Sequence, residues 1–400
     1  MTILVSRSMK VLLIHCAYKF RGGEDTVVAE EKKLLEASGV DTELLQFSND
    51  ERTLMNVAQL PFNIGSYQQT LKKIKAFRPD VVHIHNLHFA ASPSVLYAIR
   101  RSGTPVVCTL HNYRLICPSA LLFHKGKAFL SSINSPFPWK AVKEGVYKNS
   151  KLLTFWMALS MQVHHWAKTW RHCNRFIVLT HYAKDIFMRS KLGLREEQVA
   201  VKPNFTSLPF IPMTERGDHF LYAGRFSEEK GIQLMLDLFA TLPHKIKFAG
   251  DGPMKDEVVA ACAAYSNMEY LGVLKKDELL NELAAASALL FPSIWFEGMP
   301  LTIIEAFACS TPVIASRLGA MDDMVTPHVN GLHFEAGDSD SLRAAINEWR
   351  ALSAQEKEAY QNKARQTYEE LYTPQKNAEQ LLAIYKSVMK KKQSVLSVAV

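Results

Sequence analysis

Two glutamates, Glu297 and Glu305, stand eight positions apart in the segment 295–305, on either side of a turn that contains Pro300. Pro300 suits the first position of an apolar helix, because proline fits there without losing a hydrogen bond. The free N–H groups of residues 301–303 would then face any nearby anion. Ionised carboxylates only accept hydrogen bonds, so both glutamates suit hydroxyl donors. This combination predicts a ligand that carries sugars and phosphates.

Two further segments carry groups that suit phosphate. Arg225 follows Gly224 at the end of an apolar run, and Lys230 comes shortly afterwards. Arg225 can bind phosphate oxygens through its planar fork, and Lys230 adds a point charge. Gly250 ends another apolar run, in the sequence Ala-Gly-Asp-Gly-Pro, where backbone can approach a ligand closely. Ligands of open α/β sheets bind at the carboxyl ends of the strands, so these segments are predicted to share one site with the glutamates.

Apolar runs of strand length alternate with helical patterns through most of the chain, which is typical of α/β proteins with parallel sheets. Predicted strands in the first half are 9–15, 41–47, 81–85, 104–110, 175–179 and 198–202. Predicted strands in the second half are 219–223, 245–249, 268–271, 288–291 and 312–315. Pro203 opens a polar stretch between the halves. We therefore predict two parallel-sheet domains, 1–205 and 206–375, with a helix at about 376–392 that could pack back onto the first.

The chain has 400 residues and a net charge of +8, but the charge is unevenly distributed. Residues 1–210 carry 28 Lys and Arg against 14 Asp and Glu, whereas the remaining residues carry 19 against 25. A membrane surface, an anionic lipid or a nucleic acid could each explain the basic half.

A basic segment, 146–172, carries one apolar stripe at helical spacing. Its members are Leu152, Trp156, Leu159, Val163, Trp166 and Trp170. We expect this stripe to pack on the sheet, and we hypothesise peripheral membrane contact by the same domain because of its positive charge. The sequence lacks a signal-peptide pattern and a membrane-spanning run, and its six cysteines have no disulfide-like spacing. We therefore expect a cytoplasmic protein, with the inner face of the cytoplasmic membrane as a possible site of peripheral contact.

Four histidines, at positions 83, 85, 88 and 111, could be imagined as a metal cluster. The sequence suggests no cysteine or acid that would complete the ligand shell, so structural roles are favoured. The one D-x-D, at 338–340, precedes a helical pattern and is interpreted as a helix cap. No metal site is predicted.

The order of the motifs resembles that of family 4 retaining glycosyltransferases with the GT-B fold, in which two Rossmann-like parallel-sheet domains face each other across a cleft. In the second half the motifs are G-R-F-S-E-E-K-G at 224–231, A-G-D-G-P at 249–253, E-G-M-P-L-T-I-I-E-A at 297–306, P-V-I-A-S at 312–316 and N-G-L-H-F at 330–334. The first half adds similar segments at 10–15, 22–23, 80–86, 105–112 and 203–204. The resemblance therefore covers essentially the whole chain.

The resemblance also implies roles for single residues. Arg225 and Lys230 would hold the diphosphate of a nucleotide-sugar donor, and Glu305 would accept from its ribose. Glu297 would accept from the transferred sugar, and His111 would lie against that sugar. The donor-binding residues implied besides Glu305 are Gly22, Gly23, Gly224, Gly250, Gly272, Val273, Gly298, Met299, Pro300, Leu301 and Thr302. In this family the leaving diphosphate oxygen helps to deprotonate the acceptor, and the cations take the role that would otherwise fall to a metal.

The residues and the resemblance together predict a retaining hexosyltransferase that uses a nucleotide-diphosphate sugar and needs no metal or other cofactor. Its expected acceptor is a hydroxyl of a glycan or lipid-linked molecule, in the assembly of capsule, O-antigen or lipopolysaccharide. A nucleotide-sugar epimerase or hydrolase on the same fold is the alternative, because fold does not fix chemistry. A nucleic-acid-binding protein is disfavoured, since no binding module is recognised and the four charged site residues would be unexplained.

Overall fold

The computed structural model describes residues 7–17, 22–49, 57–208 and 216–398, with side chains up to residue 390. The chain divides into two compact units. The first contains residues 1–120, 130–203 and 374–400, and the second contains residues 121–129 and 204–373. Each unit is built around its own parallel sheet of six strands.

The sheet of the first unit consists of parallel strands. Its strands are β1 (Lys10–Ala17), β2 (Asp41–Ser48), β3 (Val81–Ile84), β4 (Val106–Leu110), β7 (Arg175–Val178) and β8 (Val199–Val201), while β5 (Phe123–His124) and β6 (Lys127–Ala128) form a short antiparallel pair in the second unit. The sheet order is β2-β1-β3-β4-β7-β8. Strands β1, β3 and β4 are buried along almost their whole length, as expected of parallel strands covered on both faces. The strand order reverses between β1 and β3, where ligands of such sheets bind.

Helices cover the faces of this sheet. They are Gly23–Ala37, Ile64–Phe77, Ser94–Ser102, Trp139–Glu144, Lys151–Trp166, His181–Arg189 and Pro374–Val398. The last of them comes from the end of the chain, and its Leu381, Tyr385 and Val388 are buried in one apolar cluster with Val11 and Leu13 of β1. The carboxyl-terminal helix is therefore part of the core of the first unit.

The second unit repeats this architecture. Its strands are β9 (Phe220–Ala223), β10 (Ile246–Ala249), β11 (Met268–Gly272), β12 (Ala288–Phe291), β13 (Val313–Ser316) and β14 (Gly331–Phe334), in the order β11-β10-β9-β12-β13-β14. Its helices are Ile232–Phe239, Lys255–Ala264, Lys276–Ala285, Leu301–Ala308, Ala320–Met324, Ser339–Ala351 and Ala354–Leu371. Phe220, Phe248 and Trp349 are fully buried in its core. The strand order reverses between β9 and β12, so this is where a ligand is expected.

The prediction of two parallel-sheet α/β domains is confirmed. The strand bounds agree with the predicted ones to within a few residues, because buried parallel strands show as continuous apolar runs. Among the strands of the two parallel sheets, β14 was not predicted as a strand, although its sequence is part of the N-G-L-H-F motif, and the short pair β5 and β6 was not predicted either. Strand β14 has only four residues and contains His333, so it lacks a long apolar run.

The predicted packing of the stripe in segment 146–172 is wrong. The helix itself spans Lys151–Trp166, and its buried residues are Thr154, Met157, Ala158, Ser160 and His164. Of the predicted stripe, Leu152 is 77% exposed and Trp166 is 69% exposed, Trp156 and Leu159 are half-buried, and Trp170 is buried but lies beyond the end of the helix. Small side chains such as Ala158 and Ser160 allow close packing, so hydrophobicity alone did not identify the buried face.

Candidate active site

Glycines at the ends of β9 and β10 bring two backbone segments into close contact. The Gly224 N–H donates to the Ala249 carbonyl at 3.0 Å, and a Cβ on Gly250 would lie 1.9 Å from the Gly224 oxygen. Gly250 also has a φ of +146°, which side chains rarely adopt. Both the close contact and the positive φ require glycine at position 250. The glycines therefore keep the backbone segments after β9 and β10 close together.

Arg225 and Lys230 both follow β9 in the chain. Arg225 is exposed, and within the described residues no acid or hydrogen-bond acceptor contacts its guanidinium. Lys230 ends a 3₁₀ turn, and Gly231 after it has a φ of +73°. A Cβ on Gly231 would lie 2.1 Å from the Pro292 carbonyl oxygen, so the turn sits tightly against the segment after β12. This close approach brings the ammonium of Lys230 to that segment.

Glu297 is the partner of Lys230. Its Oε1 lies 2.5 Å from Lys230 Nζ, and it also accepts from Ser293 Oγ at 2.8 Å and Trp295 Nε1 at 2.7 Å. Glu297 is only 6% exposed, and three donors on one oxygen hold its carboxylate in place. None of the described hydrogen bonds engages Oε2. The group is therefore arranged as a fixed hydrogen-bond acceptor with one oxygen free for a ligand.

The helix Leu301–Ala308 starts immediately after this acid. Pro300 is its N-cap residue and not its first helical residue, so the helix begins one position later than the sequence predicted, and no side chain caps the first turn. The first backbone N–H groups, at Leu301 and Thr302, thus have no side-chain acceptor and suit an anion. Gly298 lies in the turn that leads to Pro300.

Met299 has a packing role that the sequence did not indicate. It is 8% exposed, and its sulfur and carbonyl oxygen accept from Asn204 N at 3.2 Å and Asn204 Nδ2 at 3.4 Å. These contacts attach the turn before the helix to the beginning of the second unit's chain. Met299 therefore anchors the turn through its side chain.

Glu305 lies inside the helix and forms an ion pair with Lys276. Glu305 is 7% exposed, whereas Lys276 sits at the start of helix Lys276–Ala285 and keeps about half of its side chain in solvent. Sequence reasoning missed Lys276, because nothing near it in the chain marks it as the partner of a residue on another helix. The ion pair engages Oε1 of Glu305, and none of the described hydrogen bonds engages Oε2, so this oxygen can accept from a hydroxyl.

Gly272 and Val273 complete this edge of the sheet. Gly272 ends β11 with a φ of +76°, and its carbonyl accepts from Gly250 N at 2.8 Å. Val273 is 71% exposed, so a large apolar side chain stands open beside the ends of β10 and β11. The four predicted segments therefore lie at the carboxyl ends of the neighbouring strands β11, β10, β9 and β12.

The predicted Gly22-Gly23 loop lies in the first unit, after β1. Gly23 starts the helix Gly23–Ala37 and Gly22 is its N-cap residue. The Gly22 N–H already donates to Asp25 Oδ2 at 2.9 Å, and the other oxygen of Asp25 lies 2.8 Å from His15 Nε2. Residues 18–21 of this loop lie outside the described residues. The Gly22 amide is thus engaged within the protein rather than free for a ligand.

His111 follows β4 and belongs to a buried polar cluster. Its Nε2 lies 3.0 Å from His85 Nδ1, and His85 Nε2 lies 3.2 Å from Glu31 Oε1. Glu31 also lies 3.1 Å from His83 Nδ1. The expectation that no acid accompanies these histidines is wrong, because Glu31 reaches them from the preceding helix. His88 is not part of the contacts that join the other three histidines.

The donor atoms of Glu31, His83 and His85 all lie within 4.8 Å of one another, a spacing that could suit a metal ion. Lys202 Nζ, however, lies 3.1 Å from Glu31 Oε2 and 3.0 Å from Asn377 Oδ1. The ammonium already neutralises the carboxylate, so a divalent cation would meet repulsion at this position. At 338–340 the predicted helix cap is confirmed, because Asp338 accepts from two amides at the start of helix Ser339–Ala351.

Burial and charge set the protonation of this cluster. Burial alone would raise the pKa of the Glu31 carboxyl, but Lys202 and the neighbouring histidines hold that pKa well below its usual value. Burial, together with repulsion by His83, lowers the pKa of His85 to about 4. Burial, together with His85, holds the pKa of His111 well below its usual value. At neutral pH the cluster thus contains an ionised glutamate and neutral rings at His85 and His111.

Comparison with known families matches both units. Residues 21–208 match Glycosyltransferase Family 4, and residues 210–367 match Glycosyl transferases group 1. The sucrose-phosphate synthase of Thermosynechococcus elongatus superposes with a TM-score of 0.69 at 17% identity, over 96% of this chain and 100% of that one. Anabaena HepE, solved in complex with UDP-glucose, gives a TM-score of 0.59 at 15% identity, over 98% and 100%. The chain belongs to the glycosyltransferases with the GT-B fold.

Relatives by sequence are distant. An uncharacterized glycosyltransferase of Methanocaldococcus jannaschii is 32% identical over 130 residues, which are 32% of this chain and 37% of that protein. The O-antigen chain mannosyltransferase C of Escherichia coli is 25% identical over 182 residues, or 44% of this chain and 48% of that protein. The matched regions thus span less than half the length of these curated relatives.

Within the described residues, no helix combines the length and apolar character needed to cross a bilayer.

Proposed function

We propose that the protein transfers a hexose-type sugar from a nucleotide-diphosphate sugar to a hydroxyl of a glycan or lipid-linked acceptor, with retention of anomeric configuration. The observation that carries the proposal is the grouping of Arg225, the Lys230–Glu297 pair and the uncapped helix start at Leu301. These groups lie where the strand order of the second unit reverses. Cations for a diphosphate and carboxylates for sugar hydroxyls are thereby offered by one sheet edge.

Each group has a role in this proposal. Arg225, whose guanidinium is free, binds the diphosphate together with the first-turn amides of the helix. Lys230 extends its hydrogen bonding from Glu297 to the phosphate oxygens. Glu297 keeps its bonds from Ser293 and Trp295, and its free oxygen accepts from a hydroxyl of the transferred sugar. Glu305 accepts from the ribose.

We propose a chemical step that agrees with this distribution of charge. The bond between the anomeric carbon and the diphosphate oxygen breaks, and the acceptor oxygen bonds to the same face of that carbon. The acceptor proton passes to the departing diphosphate oxygen, so neither glutamate exchanges a proton. Arg225 and Lys230 stabilise the negative charge that develops on the leaving group. We assign His111 a contact with the transferred sugar, and we propose that the step needs no metal.

We propose cell-surface polysaccharide assembly as the setting of this reaction. Support comes from the relatives in Escherichia coli whose names are O-antigen chain mannosyltransferase B and C.

We also propose that the first unit contacts an anionic membrane surface. Leu152 and Trp166 expose apolar surface on one face of helix Lys151–Trp166, and Trp139, 56% exposed, packs near it against Phe155. The lysines that accompany them are Lys140, Lys143, Lys148 and Lys151. Exposed tryptophan beside lysine is the combination that interfacial binding uses. Flotation with anionic liposomes is expected to carry the protein upward, and absence of flotation even at low salt would overturn this part.

Product analysis tests the reaction type. The protein is incubated with UDP-, GDP- and ADP-hexoses, with and without a lipid extract that supplies carrier-linked acceptors, and the products are followed by proton NMR. We expect transfer only when acceptor is present, and a new linkage with the anomeric configuration of the donor. Inversion would contradict retention. A donor that is epimerised or hydrolysed rapidly without acceptor would instead support the epimerase or hydrolase alternative.

A further inference from the structure

The buried cluster that ends at His111 contains more charge than the assigned reaction uses. Glu31 and Lys202 form an ion pair with exposures of 1% and 2%, although they stand 171 residues apart in the chain. Burial of two charges is costly, and replacing such a pair by apolar residues is often neutral or favourable. Only the ring of His85 separates Glu31 of this pair from His111. The pair therefore suggests a role beyond stability.

Glu31 determines which nitrogen of His85 carries the proton. An ionised carboxylate can only accept, and its Oε1 lies 3.2 Å from His85 Nε2. These two atoms are not aligned as a hydrogen bond, but the negative charge of Glu31 still favours a proton on the nitrogen that faces it. The His85 ring is neutral because its pKa is lowered to about 4 by burial. A neutral ring with its proton on Nε2 has an acceptor at Nδ1.

His111 must then donate to that acceptor. Its Nε2 lies 3.0 Å from His85 Nδ1, and one of the two nitrogens has to carry the hydrogen of this bond. With His85 Nδ1 unprotonated, the hydrogen belongs to His111 Nε2, and His111 Nδ1 is left as an acceptor. His111 and Asn112 line a small open pocket at the ends of β3 and β4, where a ligand hydroxyl can approach this histidine.

We propose that Lys202, Glu31 and His85 are positioning residues that hold His111 in the Nε2–H tautomer, so that its Nδ1 accepts a hydrogen bond from a hydroxyl of the transferred sugar. This inference rests on the proposed function for the identity of the hydroxyl only. The chain of contacts lies within the first unit, and Asn377 links it to the carboxyl-terminal helix.

The neighbouring polar residues have partners of their own, which agrees with the roles given to Glu31, His85 and His111. His83 Nδ1 lies 2.7 Å from Tyr385 Oη, and His83 Nε2 lies 2.8 Å from Thr109 Oγ1. His83 therefore has partners of its own and makes no hydrogen bond to His111. His15 pairs with Asp25 at 2.8 Å. Tyr385 is thus part of the same buried cluster, but it is not one of the residues that connect Lys202 to His111.

The tautomer can be measured directly, without any ligand. In ¹⁵N-labelled protein at pH 7.5, long-range proton–nitrogen correlation distinguishes a protonated ring nitrogen from an unprotonated one, and the His111 signals are those absent from His111→Gln. We expect a protonated Nε2 and an unprotonated Nδ1 at His111. A protonated Nδ1, in a neutral or a charged ring, would overturn the proposal. The variant serves only to assign the His111 signals in the native spectrum, and His111→Asn gives the same assignment if His111→Gln does not fold.

Variants test the origin of the tautomer. The double variant Glu31→Gln, Lys202→Met removes both charges together, so neither is left buried and unpaired. We expect its His111 to populate both tautomers, whereas the matched control Tyr385→Phe, in the same cluster, keeps the native one. An unchanged tautomer in the folded double variant would show that Glu31 does not set it.

Kinetics then connect the tautomer to the reaction. With the nucleotide sugar that the protein is found to use, the double variant is expected to lose about tenfold in kcat/KM, since one hydrogen bond is weakened, while Tyr385→Phe stays within about twofold. Unchanged kcat/KM despite a mixed tautomer would overturn the positioning role. Failure of any nucleotide sugar to bind the native protein would instead refute the proposed function and leave the tautomer result standing.

Discussion

Lys230→Met removes the ammonium that we assign to the donor diphosphate while keeping a side chain of similar length. A charge-assisted hydrogen bond contributes about 1.5–3 kcal/mol, so nucleoside diphosphate should bind about tenfold to a hundredfold more weakly. Glu297 loses the contact at 2.5 Å but keeps its donors Ser293 and Trp295. Because the carboxylate remains hydrogen-bonded, the free energy of unfolding should fall by only about 1–2 kcal/mol.

The assay is isothermal titration with UDP, GDP and ADP, using whichever binds the native protein. Lys245→Met is a matched control. Lys245 also faces a carboxylate, with its Nζ 3.8 Å from Asp218 Oδ1, but it precedes β10 and so lies at the amino end of the sheet. Lys245 and Asp218 are both mostly exposed, so removal of the ammonium should change the free energy of unfolding by less than about 1 kcal/mol.

The two variants together separate a specific contact from a general loss of charge. Native-like affinity in a folded Lys230→Met protein would refute the assignment of Lys230 to the phosphates. Equal weakening in Lys245→Met would show that the effect comes from net charge and not from the position of the ammonium.

Four further predictions concern stability and cofactor use. Lys202→Met should lower the free energy of unfolding, measured in urea, by about 3–5 kcal/mol because Glu31 is left buried and unpaired. Adding Glu31→Gln should recover much of this loss, and an equal loss in the single and the double variant would contradict the pairing. The pKa of His85 is about 4 when folded, against an ordinary value of 6.5, so between these values the unfolded chain binds a proton that the folded protein does not. His85 alone should lower the free energy of unfolding by about 2 kcal/mol at pH 5 relative to pH 7, and the lowered pKa values of His88 and His111 act in the same direction. A urea midpoint that does not change between these pH values would contradict this prediction. Gly250→Ala should lower the free energy of unfolding by about 2–4 kcal/mol, because its Cβ would lie 1.9 Å from the Gly224 oxygen. An unfolding curve identical to that of the native protein would show that the backbone can move to accept the Cβ. Sugar transfer should persist in excess EDTA, and its loss, restored by a divalent cation, would refute the metal-free step.

Much of the fold could be predicted because buried parallel strands show as apolar runs separated by helical patterns. The grouping of the candidate site residues in the second unit could also be predicted, since Arg225, Gly250 and Glu297 each follow a strand and strand ends meet at one edge. What the sequence indicates in such cases is local, and the sheet topology supplies the rest.

Contacts between distant segments could not be predicted. Glu31 and Lys202 are 171 residues apart, and neither carries a local signal for burial, so the sequence suggested histidines without an acid. Lys276 was missed as the partner of Glu305 for the same reason. The exposed face of helix Lys151–Trp166 was misjudged because periodicity shows that residues share a face but not which face is covered.

The central claim is that the second unit binds a nucleotide-diphosphate sugar, and a thermal-shift panel of UDP-, GDP- and ADP-sugars tests it most directly. At a ligand concentration of about 100 Kd, binding adds about 2.7 kcal/mol, which corresponds to a rise of about 5 °C or more in Tm for a domain of this size. We predict such a rise with sugars of one nucleobase and a much smaller rise in Glu305→Ala. No rise with any of them at millimolar concentration, or the same rise in Glu305→Ala, would contradict the account.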